Sequence, residues 1–154
     1  MPTLDLATSI NAPLERCFDL ARDLDLHLRS MNASGERAIG GKTSGLIGMG
    51  EEVTWEARHF GVRHRHHSRI TAFERPAHFR DSMVHGRFRR FEHDHYFTQG
   101  TGHTVMRDVI EFASPFGLLG RLVDAMFLSS YLRDLIIERN RVIKEAAEAG
   151  TGAV

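Results

Sequence analysis

Two histidines separated by one residue, His93 and His95, are the side chains of this sequence with the clearest capacity for chemistry. They lie between Phe91 and Phe97, and the residues interleaved with this row are charged or polar. Alternation with a period of two is typical of a half-buried β-strand, whose successive side chains point to opposite faces. The sequence therefore predicts that both imidazoles belong to an apolar row facing the interior.

Charge complementarity on the outer face predicts which residue lies opposite His93 in the preceding strand. If residues 86–88 form a three-residue loop, Arg80 faces Asp94, which is a favourable cross-strand pair. A loop shorter by one residue would instead bring two carboxylates together. The favoured register places Asp81 opposite His93 on the inner face.

Charge complementarity also predicts that a second carboxylate, from the following strand, lies beside His93. If residues 99–102 form the next loop, Arg107 also neighbours Asp94 on the outer face. Asp108 then faces His93 on the inner face, so this imidazole is predicted to lie between two aspartates. Exposed charge pairs are weak, so they indicate the register of the strands and do not hold the fold together.

An imidazole flanked by Asp81 and Asp108 could act as a general acid or base, with one carboxylate orienting the ring. His93 would then be the catalytic base. The same three side chains could instead form a satisfied polar network that only stabilises the core, because buried polar groups need partners. In either case the two carboxylates are predicted to favour the imidazolium and to raise the pKa of His93.

No metal ion and no cofactor are predicted. A metal site needs three or more converging ligands, which Asp81, His93, His95 and Asp108 could supply in principle. A His-x-His pair on one strand is by itself only a weak signal for a metal, however. The polar row is therefore interpreted as metal-free.

The composition indicates a globular protein without a strong electrostatic preference. Twenty basic residues balance twenty acidic ones, so no net field favours nucleic acid or an anionic membrane. The single cysteine, Cys17, excludes an internal disulfide and favours a reducing compartment. With no secretory signal and no apolar run of membrane-spanning length, we expect a cytoplasmic protein that inserts into no membrane. A homodimer is compatible with the sequence.

The elements that position these residues follow from patterns along the chain. Alternating apolar residues predict a first strand over residues 4–10, and a first helix begins beside Pro13. A second short helix is predicted over residues 24–31. Several strands follow, the first two joined by a two-residue turn at 60–61 that brings opposite charges to face each other.

A long C-terminal helix is predicted to begin at Ser114 and Pro115 and to run to about residue 147. Its apolar stripe changes side along its length. The helix is therefore expected either to kink around residues 127–130 or to bury its first turns on all sides. Its charged residues, Arg139 among them, are predicted to face solvent.

Several motifs of the chain are together similar to one known family. They are Ala12-Pro13 with Phe18, Gly86-x-Phe88-x-x-Phe91-x-His93-x-His95-x-Phe97, Gly102-x-Thr104-x-x-x-Asp108, and Pro115-Phe116-Gly117-x-Leu119-Gly120. In these motifs and in the order of its elements the chain resembles the START-like superfamily, also called SRPBCC. Within it, the pattern is similar to an uncharacterised bacterial branch described as polyketide cyclase/dehydrase-like.

This resemblance implies an α+β helix-grip fold, in which a curved antiparallel β-sheet wraps around a long C-terminal helix and two short helices follow the first strand. It implies a single domain over residues 1–148, followed by a flexible tail at residues 149–154. Members share a deep cavity between the sheet and the long helix, although their ligands and activities differ widely.

We therefore expect the protein to bind a small hydrophobic ligand, such as a lipid, a polyketide or an aromatic metabolite, in this cavity. Two alternatives stay open: a cyclase, dehydratase or isomerase that uses His93 as its acid/base group, and a regulatory or interaction domain without a ligand. A fully packed interior would exclude both ligand hypotheses. The residues expected to line the cavity are Trp55, His66, Met83, Phe91, His95, Met106, Ile110, Leu122 and Met126.

Overall fold

The computed structural model describes residues 2–149, without the side chains of residues 123 and 124. Its strands are β1 (Thr3–Ile10), β2 (Arg37–Gly41), β3 (Glu52–His59), β4 (Val62–Glu74), β5 (His78–His85), β6 (Arg90–Gln99) and β7 (Thr104–Ala113). All seven form one curved antiparallel sheet in the order β1-β7-β6-β5-β4-β3-β2.

The helices confirm the predicted α+β architecture. They are α1 (Leu14–Ala21), α2 (Leu24–Ser30), a 3-10 turn (Asn32–Ser34), α3 (Gly117–Val123), a π-helical segment (Asp124–Leu128) and α4 (Ser129–Ala149). Two short helices thus follow β1, and a long helical region ends the described chain. Ala149, the first residue of the predicted tail, still belongs to α4, and residues 150–154 lie outside the described part.

One half of the inner sheet face is covered directly by helices. Phe18 of α1 is fully buried and makes edge-to-face contacts with Phe73, Phe79 and Phe97, with ring centroids 5.2–5.4 Å apart. Ile143 of α4 packs into the same cluster. Because α1 and the C-terminal half of α4 fill this region, any cavity must lie over the other half of the sheet.

Two of the three predicted hairpin registers are confirmed. In the first, between β3 and β4, Trp55 lies opposite His66, and the charge pairs used to choose the turn at 60–61 face each other as predicted. In the second, between β5 and β6, Asp81 lies opposite His93 and Arg80 lies opposite Asp94. The packing of Phe97 in the helix-covered core and the contact of His95 with Arg139 of α4 also confirm which face of β6 is interior.

The predicted register between β6 and β7 is wrong by two residues. Asp108 lies opposite His95, and the loop covers residues 100–103. Arg107 does not flank Asp94, because it pairs with Asp5 of β1 at 2.8 Å. A shift of two residues keeps every side chain on its predicted face, so Asp108 still points inward.

Asp94 has a different second partner from the one predicted. His78 lies 2.6 Å from its carboxylate, and Arg80 makes two bonds of 2.9 Å to it. These donors hold the pKa of Asp94 below its usual value against the opposing effect of burial. The side chains of His78, Arg80 and Asp94 therefore form a compact charge cluster on the outer face of β5 and β6.

The C-terminal helical region is interrupted where the sequence predicts a kink. The π-helical segment ends at residue 128, and regular α-helix resumes at Ser129. The first turns are not buried on all sides, because Leu118 and Leu119 are 81% and 71% exposed. No helix within residues 2–149 is long and apolar enough to cross a membrane.

Candidate functional site

A cavity of about 620 Å³ lies between the inner face of β3–β6 and the helices α2 and α4. Its walls are mainly apolar and aromatic side chains, and polar and charged side chains from several elements are interspersed among them. The main contributors to these walls are Leu24, Val53, Trp55, Ala57, Ile70, Phe79, Phe91, Leu132, Leu135 and Ile136. The interior is therefore not fully packed. This agrees with the two hypotheses that require a bound molecule, ligand binding and catalysis.

Four of the residues expected to line the cavity do so: Trp55, His66, Phe91 and His95. Trp55 also contacts His27 of α2, with ring centroids 4.4 Å apart, and His66 meets Phe91 edge to face at 5.2 Å. These rings make one wall strongly aromatic. Their role in binding stays a prediction.

The other five expected lining residues lie elsewhere. Met106 and Ile110 are fully buried in the core, because the helices pack directly on β7. Leu122 and Met126 are 56% and 74% exposed, because they precede the point where α4 begins to pack on the sheet. Met83 is half-buried and lies outside the lining.

Asp81, His93 and His95 form a polar cluster in the cavity lining, here called the polar end, and the fully buried Asp108 contacts both histidines. The bonds among these four side chains run diagonally across the strands. Asp81 lies opposite His93, yet its carboxylate oxygen is 2.9 Å from Nε2 of His95. Asp108 lies opposite His95, yet it is closest to Nε2 of His93, at 2.8 Å. The imidazole rings stack with centroids 3.7 Å apart. The three predicted catalytic residues are thus brought together, and His95 joins them.

Helix α4 supplies two partners that sequence reasoning missed. Arg139 is 3% exposed, and its guanidinium lies 3.3 Å from Asp108. The side-chain amide of Asn140 donates to the other carboxylate oxygen of Asp108 at 2.8 Å. The prediction that Arg139 faces solvent is wrong. Its position was readable from helical spacing, because it lies three residues after Ile136 and four before Ile143, which are both buried.

The predicted rise in the pKa of His93 is wrong, because the pKa is lowered to about 4. Burial of the ring is the largest cause, and the neighbouring imidazole of His95 acts in the same direction. The prediction assumed that only an imidazolium could balance the two carboxylates. Arg139 already supplies that positive charge next to Asp108, so His93 can stay neutral.

The two carboxylates remain ionised despite their surroundings. Burial alone would raise the pKa of Asp108, but the bond from His93, the nearby ring of His95 and the charge of Arg139 hold it well below its usual range. Burial alone would also raise the pKa of Asp81, but the bond from His95 and the other histidine rings nearby outweigh it, so this pKa is lowered.

The ionised Asp108 fixes the tautomer of His93. A carboxylate can only accept hydrogen bonds, so Nε2 of His93 must carry the proton that it donates to Asp108. In the neutral ring Nδ1 is then unprotonated, and it lies 3.9 Å from the carboxylate of Asp81. The cavity therefore presents an unprotonated ring nitrogen. The role of His93 as a base oriented by Asp81 or Asp108 stays a prediction.

No protein-family profile matches the chain, and no curated protein matches it in sequence. Solved structures do match. The protein TTHA0849 from Thermus thermophilus is 18% identical, covers 97% of this chain and 99% of its own, and superimposes with a TM-score of 0.76. A START superfamily protein from Mycobacterium smegmatis is 10% identical, with 96% and 97% coverage and a TM-score of 0.70. The chain has the START-like helix-grip fold.

A plant protein extends the same likeness. Ginseng major latex-like protein 151 from Panax ginseng is 15% identical, covers 95% of this chain and 97% of its own, and has a TM-score of 0.67. Identities this low establish the helix-grip fold alone. A shared fold does not by itself define a shared function.

In this helix-grip structure the cavity reaches the surface beside the start of the long helical region. Phe60 and Phe116 both line the cavity, and they are 54% and 69% exposed. Phe60 stacks at a tilt on Tyr131 of α4, with ring centroids 4.5 Å apart. Aromatic side chains therefore border the opening of the cavity.

Proposed function

We propose that this helix-grip protein binds a small, largely apolar molecule that carries one polar group. The observation that carries the proposal is the cavity of about 620 Å³ with mainly apolar walls and a polar end formed by Asp81, His93 and His95. Small-molecule sites typically have this size and this combination of an apolar lining with a few converging polar groups.

The walls indicate which apolar molecules fit. Trp55 and Phe91 offer flat aromatic surfaces, and burial keeps the pKa of the adjacent His66 lowered, so its ring is neutral at physiological pH. Aromatic rings contribute large apolar contact areas and favour offset or edge-to-face packing. Leu132 and Leu135 of α4 add an aliphatic wall. We therefore favour an aromatic metabolite or polyketide, with a lipid chain as the other ligand class.

The polar end indicates where the ligand's polar group binds. Asp81 and the unprotonated nitrogen of His93 are acceptors, so a hydroxyl or amine that donates hydrogen bonds is complementary to them. The Nε2–H of His95 is already directed at Asp81. A ligand that buries its apolar body but leaves this end unsatisfied would bind less well, because buried polar groups need partners.

The single tryptophan of the chain reports on the proposed site without labelling. We expect 8-anilinonaphthalene-1-sulfonate to bind saturably, to accept energy from Trp55, and to be displaced by 2-naphthol or oleic acid. Native mass spectrometry of freshly purified protein should show any ligand retained from the host. Ala57→Phe, which adds a ring inside the cavity, should weaken probe binding by more than about tenfold.

Thr54→Phe is the matched control, because Thr54 lies on the same strand but outside the cavity lining. It should leave probe affinity unchanged. Leu135→Phe narrows the opposite wall and repeats the test if Ala57→Phe fails to fold. Probe binding that is not saturable, or that is equally strong in the folded cavity variants, would contradict the proposal.

A further inference from the structure

We propose that Asp81, His93 and His95 form a binding site for a divalent first-row transition-metal ion such as Zn²⁺. Each residue offers one ligand atom, and these atoms lie within 4.8 Å of one another. The site lies within the cavity and uses the acceptor atoms of Asp81 and His93, so in the metal-bound protein a ligand's polar group would meet the ion instead of these atoms. Metal binding itself requires no bound organic molecule.

The separations between the ligand atoms suit an ion. The carboxylate oxygen of Asp81 is 2.9 Å from Nε2 of His95 and 3.9 Å from Nδ1 of His93. Ligands bonded at about 2.1 Å and separated by about 90–110° lie roughly 3.0–3.4 Å apart. Small side-chain rotations would therefore place all three atoms around one ion. The ion would replace the proton that His95 directs at Asp81.

Asp108 provides the outer-shell contact that metal-binding histidines usually make. Its carboxylate lies 2.8 Å from Nε2 of His93 and 3.2 Å from Nδ1 of His95. In each ring this is the nitrogen that faces away from Asp81. A carboxylate that accepts the second N–H of a histidine fixes the ring orientation and leaves the first nitrogen free for the metal.

The charges around the site also favour a cation. Arg139 balances the charge of Asp108 and donates to the carbonyl oxygen of Ala21 at 3.2 Å. Its guanidinium also lies 3.4 Å from Nδ1 of His95, on the side away from Asp81. The carboxylate of Asp81 has no arginine or lysine partner among the described residues. Its negative charge is therefore available to bind a metal ion.

Two histidines and one carboxylate occupy only part of a metal's coordination sphere. The remaining positions would face the cavity, because all three ligands belong to its lining. Sites with this ligand set and open positions are typical of catalytic zinc and of non-haem iron. A metal here would therefore bind an oxygen atom of whatever molecule occupies the cavity.

Calorimetric titration of EDTA-treated, dialysed protein with Zn²⁺ tests the proposal. We expect each protein chain to bind one Zn²⁺ ion tightly, which is called the tight equivalent below, and to show a higher thermal unfolding midpoint with the ion bound. When Co²⁺ is used instead, we expect d–d absorption bands. Asp81→Asn and His93→Gln should each weaken this equivalent by at least about 100-fold, because they remove a ligand. Thermal unfolding of the metal-free variants verifies that they are folded.

His78→Gln is the matched control, because His78 pairs with Asp94 on the outer face of the same two strands. It should leave the tight equivalent intact, and any weak binding by other surface histidines should be common to all variants. Absence of a tight equivalent would overturn the proposal. So would its persistence in Asp81→Asn and His93→Gln, or its loss in His78→Gln.

Discussion

Replacement of Asp108 by asparagine is expected to lower the free energy of unfolding by about 3–5 kcal/mol, because a buried cation loses its counter-charge. Asp108 is fully buried, and the guanidinium of Arg139 beside it is 3% exposed. Without the carboxylate, Arg139 keeps neutral partners, which are the backbone of Ala21 and the side chain of Asn140. Equilibrium unfolding in urea measures the difference.

Asp5→Asn is the control for this prediction. Asp5 pairs with Arg107, which is on the same strand as Asp108, but both partners of this pair are about half exposed, at 49% and 52%. Solvent screens such a pair, so we expect no measurable shift of the urea midpoint. Adding Arg139→Met to Asp108→Asn should recover part of the lost stability, since the unpaired cation is then removed. Equal losses in the two single asparagine variants would contradict the argument.

Period-two patterning was sufficient to identify the inner face of the sheet. His93 and His95 are on the inner face of β6 because they alternate with charged residues between phenylalanines. The hairpin at residues 60–61 and the pair of Arg80 with Asp94 were also predictable, because their charges are satisfied within one hairpin. Charge complementarity within a hairpin therefore predicts the strand register in these two hairpins.

Charge reasoning failed where the true partner lies far away in the sequence. Arg107 was assigned to Asp94, but its partner is Asp5, on the strand that closes the sheet beside β7. The observed register even places Glu92 opposite Glu111, which local charge matching would avoid. Ser82 bonds to Glu92, and Arg90 lies 3.9 Å from Glu111, so other neighbours offset the repulsion.

The candidate site could be predicted only in part for a similar reason. Asp81, His93 and Asp108 were found because each lies on the inner row of its strand. Arg139 was missed because its charge was taken as a sign of solvent exposure, although its spacing from Ile136 and Ile143 places it on the buried side of the helix. The contacts of Arg139 and Asn140 with Asp108 join residues more than 30 positions apart. Their absence from the sequence-based picture led directly to the wrong charge state for His93.

Acid should destabilise the metal-free protein through His93 well before its aspartates titrate. The folded-state pKa of His93 is about 4, whereas an unfolded histidine titrates near about 6.5. Below pH ~6.5 the unfolded chain therefore binds a proton that the folded chain excludes. The free energy of unfolding consequently decreases as the pH is lowered from about 6.5 to the folded-state pKa of His93. The lowered pKa values of His59 and His66, both caused mainly by burial, act in the same direction.

Comparison with His93→Gln separates the contribution of His93 from that of the other histidines. In EDTA, between pH 7 and 4.5, the natural protein should lose about 2 kcal/mol more stability than the variant. Asp81 and Asp108 stay ionised in both states across most of this window, because their folded pKa values are lowered and an unfolded aspartate titrates near about 3.9. Parallel pH profiles, or an NMR midpoint for the His93 ring above about 6.5, would show that the carboxylates control its charge. A steeper dependence of stability on pH in the natural protein would show that burial controls the charge of His93 and that Arg139 balances the charge of Asp108.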